Sequence, residues 1–225
     1  MATETAHPFD IITFDCYGTL IDWESGIADA FLEAARNDGL TLSRHDVLQA
    51  YHQLEQVVQR EHYLPYRQIL AETATRVASA LAWPLSADRS AFLADSLPRW
   101  KPFADTNGAL ERLRSAGFRL GILSNIDDDL LAGTRRHFTV DFDLIITAQQ
   151  VGSYKPAPGH FLAAKEIIGD ARWLHAAQSN FHDIVPVNAM GVPTAWVNRR
   201  AGTPLPGGVP TYEVHDMAGL AELLA

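Results

Sequence analysis

The sequence predicts an α/β fold: a parallel sheet with helices on both faces and a helical segment inserted after the first strand. Three observations carry that prediction. Five short apolar runs lack the polar alternation of a half-exposed strand and suit strands covered on both faces. The later runs alternate with stretches of helical spacing, as parallel strands joined by crossover helices do. The first and second runs are separated by a long stretch, about 24–100, with several helical patterns and no convincing strand.

The first strand is "FDIITF", and it ends at Asp15. In the inserted segment, "RHDVLQAYHQLEQVVQREH" and "YRQILAETATRVASALAW" carry apolar residues three and four apart, and "SADRSAFLADSLPRW" opens on Ser86, a capping-type residue. "WESG" reads as the linker into that segment, with Trp23 packed at the hinge. The later strands are "FRLGIL" (118–123), "FDLIIT" (142–147), "WLHAAQ" (173–178) and "TAWVN" (194–198). Helical spacing falls at about 105–116, 127–137, 158–168 and 183–190, the last closed by Gly191 before Pro193. "RRAGTPLPGGVP" (199–210) is a surface loop ahead of a short C-terminal helix. The expected division is a sheet domain of residues 1–22 and 101–225, with 23–100 as a helical cap over the strand ends.

A chain of 225 residues, 47% hydrophobic, buries a full core. Its formal charge of -9 and lack of a basic stripe argue against a nucleic-acid surface, which needs clustered Lys and Arg. The start, "MATETAHPFD", lacks the cationic and apolar regions of a secretory signal, and no apolar run is long enough to span a membrane. The single cysteine, Cys16, excludes internal disulfides. These features give a cytoplasmic expectation. Cys16 neighbours Asp15, but strand alternation points it to the opposite side, so it reads as a packed thiol rather than a nucleophile.

Polar residues stand at four strand ends or just beyond: Asp15; Ser124 and Asn125; Lys155; and Ser179, Asn180 and Asp183. Each alone has an ordinary structural reading as a cap, turn or surface residue. In a parallel α/β sheet, however, the carboxyl ends of the strands converge on one rim, where ligands bind. One shared site accounts for all of them.

In their order these residues form the motifs "DCYGTL", "LSN", "KP" and "QSNFHD", and on them the chain resembles the haloacid dehalogenase (HAD) superfamily over almost its whole length. Within it, the L-2-haloacid dehalogenase group is the nearest match. The resemblance implies a Rossmann-like core with a helical cap. Phosphatases of the superfamily place a second Asp two residues after the nucleophile and a further acidic pair for Mg²⁺ in the fourth motif. Here those positions hold Tyr17 and "QSNFHD". A halide needs no proton to leave, so the missing acid is consistent with dehalogenation. With Lys155 competing for the carboxylates, neither a metal nor any other cofactor is expected.

The expected chemistry is attack by Asp15 on the carbon bearing the leaving group of a small 2-haloalkanoic acid, followed by hydrolysis of the aspartyl ester to the 2-hydroxy acid. Lys155 would keep Asp15 ionised. Asp183 would pair with Lys155 and help to activate water. By resemblance, Thr19 and Asn180 hydrogen-bond Asp15 or that water, with Ser179 in support. Ser124 and Asn125 bind the substrate carboxylate, helped by the amides that follow, Asn125 also facing the halide, and Tyr17 lines the pocket.

The sequence departs from the dehalogenase pattern around the leaving group. An Arg of the first cap helices that contacts halide aligns with His52 or a neighbour, and no Arg lies nearer than Arg44 or Arg60. A Tyr six residues after the third-motif Lys becomes Phe161, a Ser becomes Gln178, and an aromatic beside Asp183 becomes His182. His182 reads either as a structural hydrogen-bond partner or as a substrate contact. Tyr51, Tyr63, Tyr66 and Trp100 line a cavity or face a dimer partner, and dehalogenases of this group often dimerise through the cap. The alternatives are an azetidine-2-carboxylate-type ring-opening hydrolase, a HAD phosphatase lacking its usual acid, and a non-catalytic binding protein.

Overall fold

The computed structural model describes residues 7–61 and 63–225, with Arg60 described in its backbone only. The start "MATETA", His62 and the side chain of Arg60, all considered above, lie outside the described residues. Among the described residues six parallel strands form one sheet in the order β3-β2-β1-β4-β5-β6: β1 Ile11–Phe14, β2 Arg119–Ser124, β3 Leu144–Thr147, β4 Trp173–Ala177, β5 Thr194–Val197 and β6 Tyr212–Val214. The five apolar runs are all strands. β6 is an addition: a three-residue edge strand with little apolar character of its own, held by pairing with β5.

Among the described residues, ten α-helices accompany the strands: α1 Trp23–Asn37, α2 Arg44–Glu61, α3 Tyr66–Ala80, α4 Phe92–Ser96, α5 Thr106–Ser115, α6 Asp128–Arg135, α7 Ala148–Val151, α8 Gly159–Ile168, α9 Val185–Ala189 and α10 Met217–Leu224. The sheet is buried on both faces because its strands are apolar on both. On one side Ile12, Phe14 and Leu174 pack with α5 and α10; on the other Ile11 and Trp173 pack with Phe161, Ala164 and Ile168 of α8 and Val187 of α9. β1 lies at the centre, where the strand order turns back on itself, and a crevice opens beyond such a point.

α1 to α4 form the inserted segment. "WESG" is not a linker but the first turn of α1, capped by Asp22, whose carboxylate accepts from the Ser25 amide. Ser86 makes no side-chain capping bond; it precedes only a short 3-10 turn, Ala87–Arg89. The segment packs onto the sheet through an apolar cluster that unites Ile27, Phe31, Tyr51 and Trp100 with Cys16, Ile122 and Leu131. Polar latches add to it. Both carboxylate oxygens of Asp127 accept the first amides of α3, from Tyr66 (2.8 Å) and Arg67 (2.9 Å). Those amides have no partner within their own helix, so a carboxylate from outside both caps the helix and fixes it over the strand ends.

Candidate active site

The turn after β1 builds the centre of the crevice. Asp15 extends the ladder with its amide on the Ala176 carbonyl, and the chain then turns through Gly18, whose φ of +100° a residue with a side chain rarely adopts. A Cβ there would also approach Trp23 Nε1 to 3.1 Å. The turn brings Thr19 back under Asp15. Its hydroxyl donates to Asp15 Oδ2 (2.9 Å) and accepts from the Gln178 amide (2.8 Å), tying the first motif to the fourth.

Lys155 lies 140 residues away in sequence and is fully buried, with Nζ donating to Asp15 Oδ1 (2.9 Å), Asp183 Oδ1 (2.6 Å) and the Leu123 carbonyl (2.9 Å). All three ammonium donors are used. Asp183 is held by a turn of π-helix, Asn180–Ile184, capped by Ser179, whose hydroxyl accepts from the His182 amide at 3.1 Å. Asp183 Oδ2 is buried without a hydrogen-bond partner, as is the Ser124 hydroxyl at the end of β2. Asp15, Lys155, Asp183 and Ser124 all line one cavity of about 420 Å³ between the strand ends and the inserted segment.

The other expected residues divide. Tyr17, Asn125, His52, Ser179, Asn180 and His182 line this cavity, as do Trp23, Tyr51, Tyr66, Trp100 and Gln178. Asn180 does not bond to Asp15. Its amide donates to the Gly208 carbonyl (2.8 Å) and accepts from the Leu205 amide (3.0 Å), holding the 199–210 loop. Asn125 brackets Lys155, accepting from its amide (2.7 Å) and donating to its carbonyl (3.1 Å). Of the amides after Ser124, that of Ile126 is taken by the Ser124 carbonyl and that of Asp128, at the start of α6, by Gln149. Phe161 is not a pocket residue: it is fully buried in the sheet core beneath the site. Tyr63 lies off the cavity, donating to the Ala148 carbonyl. Arg44 pairs with Asp29 on the surface.

A family model described as haloacid dehalogenase-like hydrolase matches residues 9–176. The chain belongs to that family. It is 29% identical over 224 residues to haloacetate dehalogenase H-2 of Moraxella sp. strain B, covering 96% of this chain and 98% of that one. It is also 28% identical to an (S)-2-haloacid dehalogenase of Pseudomonas sp. strain YL, covering 94% and 93%. In fold it is similar to the L-2-haloacid dehalogenase of Xanthobacter autotrophicus, with a TM-score of 0.80 at 21% identity, covering 96% and 98%.

In this haloacid dehalogenase-like hydrolase the buried ions are tightly linked. Burial and the neighbouring Asp183 push Asp15 above the ordinary carboxylate value of 3.8, against the pull of Lys155 and Thr19. Lys155 pulls Asp15 toward the ionised form as expected, and burial outweighs that pull. Asp183 is buried too, but Lys155 and His175 hold it well below the ordinary value. Burial works against the Lys155 ammonium, and the two carboxylates outweigh it. The acid limb of kcat/KM is accordingly expected above pH 3.8, where Asp15 gains its proton. A pH series with a substrate that does not itself titrate in that range measures it. The Lys155 ammonium also stands between the two carboxylates, so they do not form the acidic set that Mg²⁺ prefers.

His175 is the residue that sequence reasoning missed. It sits fully buried within β4, opposite Thr13 of β1, with Nε2 at 3.0 Å from Asp183 Oδ1 and Nδ1 at 2.8 Å from the Thr13 hydroxyl. The Trp173 indole donates to the same hydroxyl at 2.7 Å. An ionised Asp183 only accepts, so Nε2 carries the proton and Nδ1 accepts from Thr13. Phe161, 5.5 Å away between ring centres, packs against the imidazole and offers no competing polar group. His175→Phe removes one donor from a buried carboxylate and is expected to destabilise the protein by about 1.5–3 kcal/mol, read from urea unfolding.

Cys16 is buried on the side of the inserted segment, and burial and Asp15 push its thiol well above the ordinary value. A thiolate is disfavoured there. The cavity lining also includes Trp196, Asn198, Arg200 and Gly202, so the Pro/Gly-rich stretch expected as a surface loop contributes to the site. Glu24 joins that wall to the inserted segment, accepting from His52 (2.8 Å) and pairing with Arg200 (2.5 Å).

Proposed function

We propose that this hydrolase displaces halide from C2 of a small 2-haloalkanoic acid through an aspartyl ester on Asp15, giving the 2-hydroxy acid. The observation that carries this reading is Asp15 itself, a buried carboxylate with each oxygen held by one donor, lining the cavity between the strand ends and the inserted segment. Two residues on, where a leaving-group acid would stand in a phosphatase, Tyr17 directs its hydroxyl to Thr134 (2.8 Å). Burial also holds that phenol well above its ordinary value.

Each remaining group has a part. The Ser124 hydroxyl, otherwise unpartnered, donates to the substrate carboxylate and places C2 over Asp15. Attack forms the Asp15–carbon ester bond as the carbon–halogen bond breaks, with its electron pair leaving on the halide. Lys155 balances the negative charge of the two carboxylates before attack. In the second half, Asp183 Oδ2 accepts a proton from the water that adds to the ester carbonyl, because Asp183 Oδ1 is already taken by Lys155 and His175. Collapse breaks the ester carbon–oxygen bond, the proton of the new Asp15 carboxyl goes to the departing alkoxide, and Asp183 gives up its proton to solvent, which releases the hydroxy acid and restores both carboxylates.

The test is turnover of 2-bromopropionate in H₂¹⁸O with enzyme in excess, so that each molecule reacts once. The heavy oxygen is expected in Asp15 and not in the first hydroxy acid released, read by mass spectrometry of the peptide containing residue 15. Heavy oxygen in the product with Asp15 unlabelled would mean direct attack by water and would end this reading.

A further inference from the structure

The wall of the cavity supplied by the inserted segment contains an acid that the chemistry above does not use. Glu55, on α2, lines the same cavity as Asp15. Asp15 attacks from the strand ends, and displacement at carbon sends the leaving atom away from the nucleophile, toward the inserted segment. The groups there are Tyr51, His52, Glu55, Gln56, Gln59 and Tyr66.

The hydrogen bonds of Glu55 are one-sided. Both the Gln59 amide and the Tyr66 hydroxyl (3.5 Å) donate to Oε1. That leaves Oε2 without a protein donor among the described residues, so a proton on Glu55 would sit on Oε2. No Lys or Arg among the described residues pairs with Glu55. On its own helix it faces Tyr51 and His52, the latter bound to Glu24 of α1; Tyr66 faces it from α3 and Tyr154 from the loop before Lys155. Arg200, across the cavity, is likewise paired with Glu24, and the charges at the strand ends are Asp15, Lys155 and Asp183, with His182 beside them. Burial pushes Glu55 up to about 7, against the pull of Tyr66, Gln59 and His52. A carboxylate with no cation beside it would repel a departing anion; the protonated acid would bind it.

We infer that Glu55 is the leaving-group acid of this site, delivering the Oε2 proton to the departing atom, and that the pocket suits an atom that leaves poorly as a bare anion, fluoride among the halides. The inference rests on the aspartyl-ester reading. In this step the Asp15–carbon bond forms and the carbon–fluorine bond breaks. The bond pair leaves with fluorine, the Glu55 proton joins it, and HF departs from a Glu55 carboxylate. Hydrolysis of the ester restores Asp15 and releases one proton, which returns to Glu55.

The experiment compares fluoroacetate with bromoacetate in wild type, Glu55→Gln and Glu55→Asp. Glu55→Gln is expected to lower fluoride release by at least about 100-fold and bromide release by less than about tenfold, with Glu55→Asp recovering part of the fluoride loss. In wild type, fluoride release should fall as pH rises through about 7, where Glu55 loses its proton, while bromide release shows no such fall. Equal losses for the two halides, or no loss, would overturn the role of Glu55 while labelling of Asp15 from bromoacetate still held. Absence of that labelling would overturn the aspartyl-ester reading and this inference with it.

Discussion

Asp15→Asn is expected to reduce halide release by at least about 10⁴-fold, as removal of a nucleophile does in enzymes that form covalent intermediates. The substitution keeps the shape of the side chain and its bond from Thr19, so loss of activity in a variant that still unfolds cooperatively separates chemistry from folding. The amide is a poor nucleophile, and it also removes one of the two negative charges that surround Lys155. Release is to be followed over a single preparation and short times, with the mass of the residue-15 peptide checked for deamidation back to Asp. Residual turnover near the wild-type rate with an intact amide would mean that Asp15 does not attack the substrate.

Lys155→Met carries the second large effect, and it acts on stability as well as rate. It leaves Asp15 and Asp183 buried without their shared cation, where Lys155 Nζ now stands 2.9 and 2.6 Å from them. Breaking one partner out of a buried ion cluster costs about 3–5 kcal/mol, since the charges left behind have neither water nor a counter-ion. The expected result is a lower unfolding midpoint at neutral pH. Two opposite linkages shape its pH dependence. In wild type, Asp183 titrates below its ordinary value, so its ion pair contributes stability above pH 3.8 that is lost as pH falls through the folded value; Asp15 is raised, and its ionisation opposes folding above 3.8. Without Lys155 both carboxylates favour the neutral form in the fold. The difference in stability between variant and wild type should therefore shrink as pH falls toward the acid range, read from denaturant midpoints at several pH values. A difference independent of pH would mean that Lys155 stabilises by packing alone.

Much of the architecture was legible because burial on both faces leaves a plain mark: "IITF", "LGIL", "LIIT" and "TAWV" contain almost nothing that water would select. The helical spacing of α2 and α3 was equally plain. The first turn of α1 was not, because "WESG" contains a glycine and its cap, Asp22, precedes the stretch that was read as linker. β6 escaped because an edge strand of three residues takes its stability from β5 rather than from its own composition.

Within the site, the sequence by itself determined which chemistry is available. It set a lone acid, a lysine and a second acid after the first, third and fourth strands of a parallel sheet, and Tyr17 where a proton donor would otherwise stand. Only the tertiary structure decided where each polar atom points. Asn180 turns to the 205–208 backbone, Phe161 lies under the sheet, and Arg200 reaches the cavity from a loop. His175, inside an apolar run, becomes a partner of Asp183. The reason is physical: chain order and strand direction bring the motifs to one rim, but a hydrogen bond depends on register and on atoms supplied by distant elements. The His175–Thr13 pair exists because β4 and β1 align those two residues, and no short stretch of either strand contains that information.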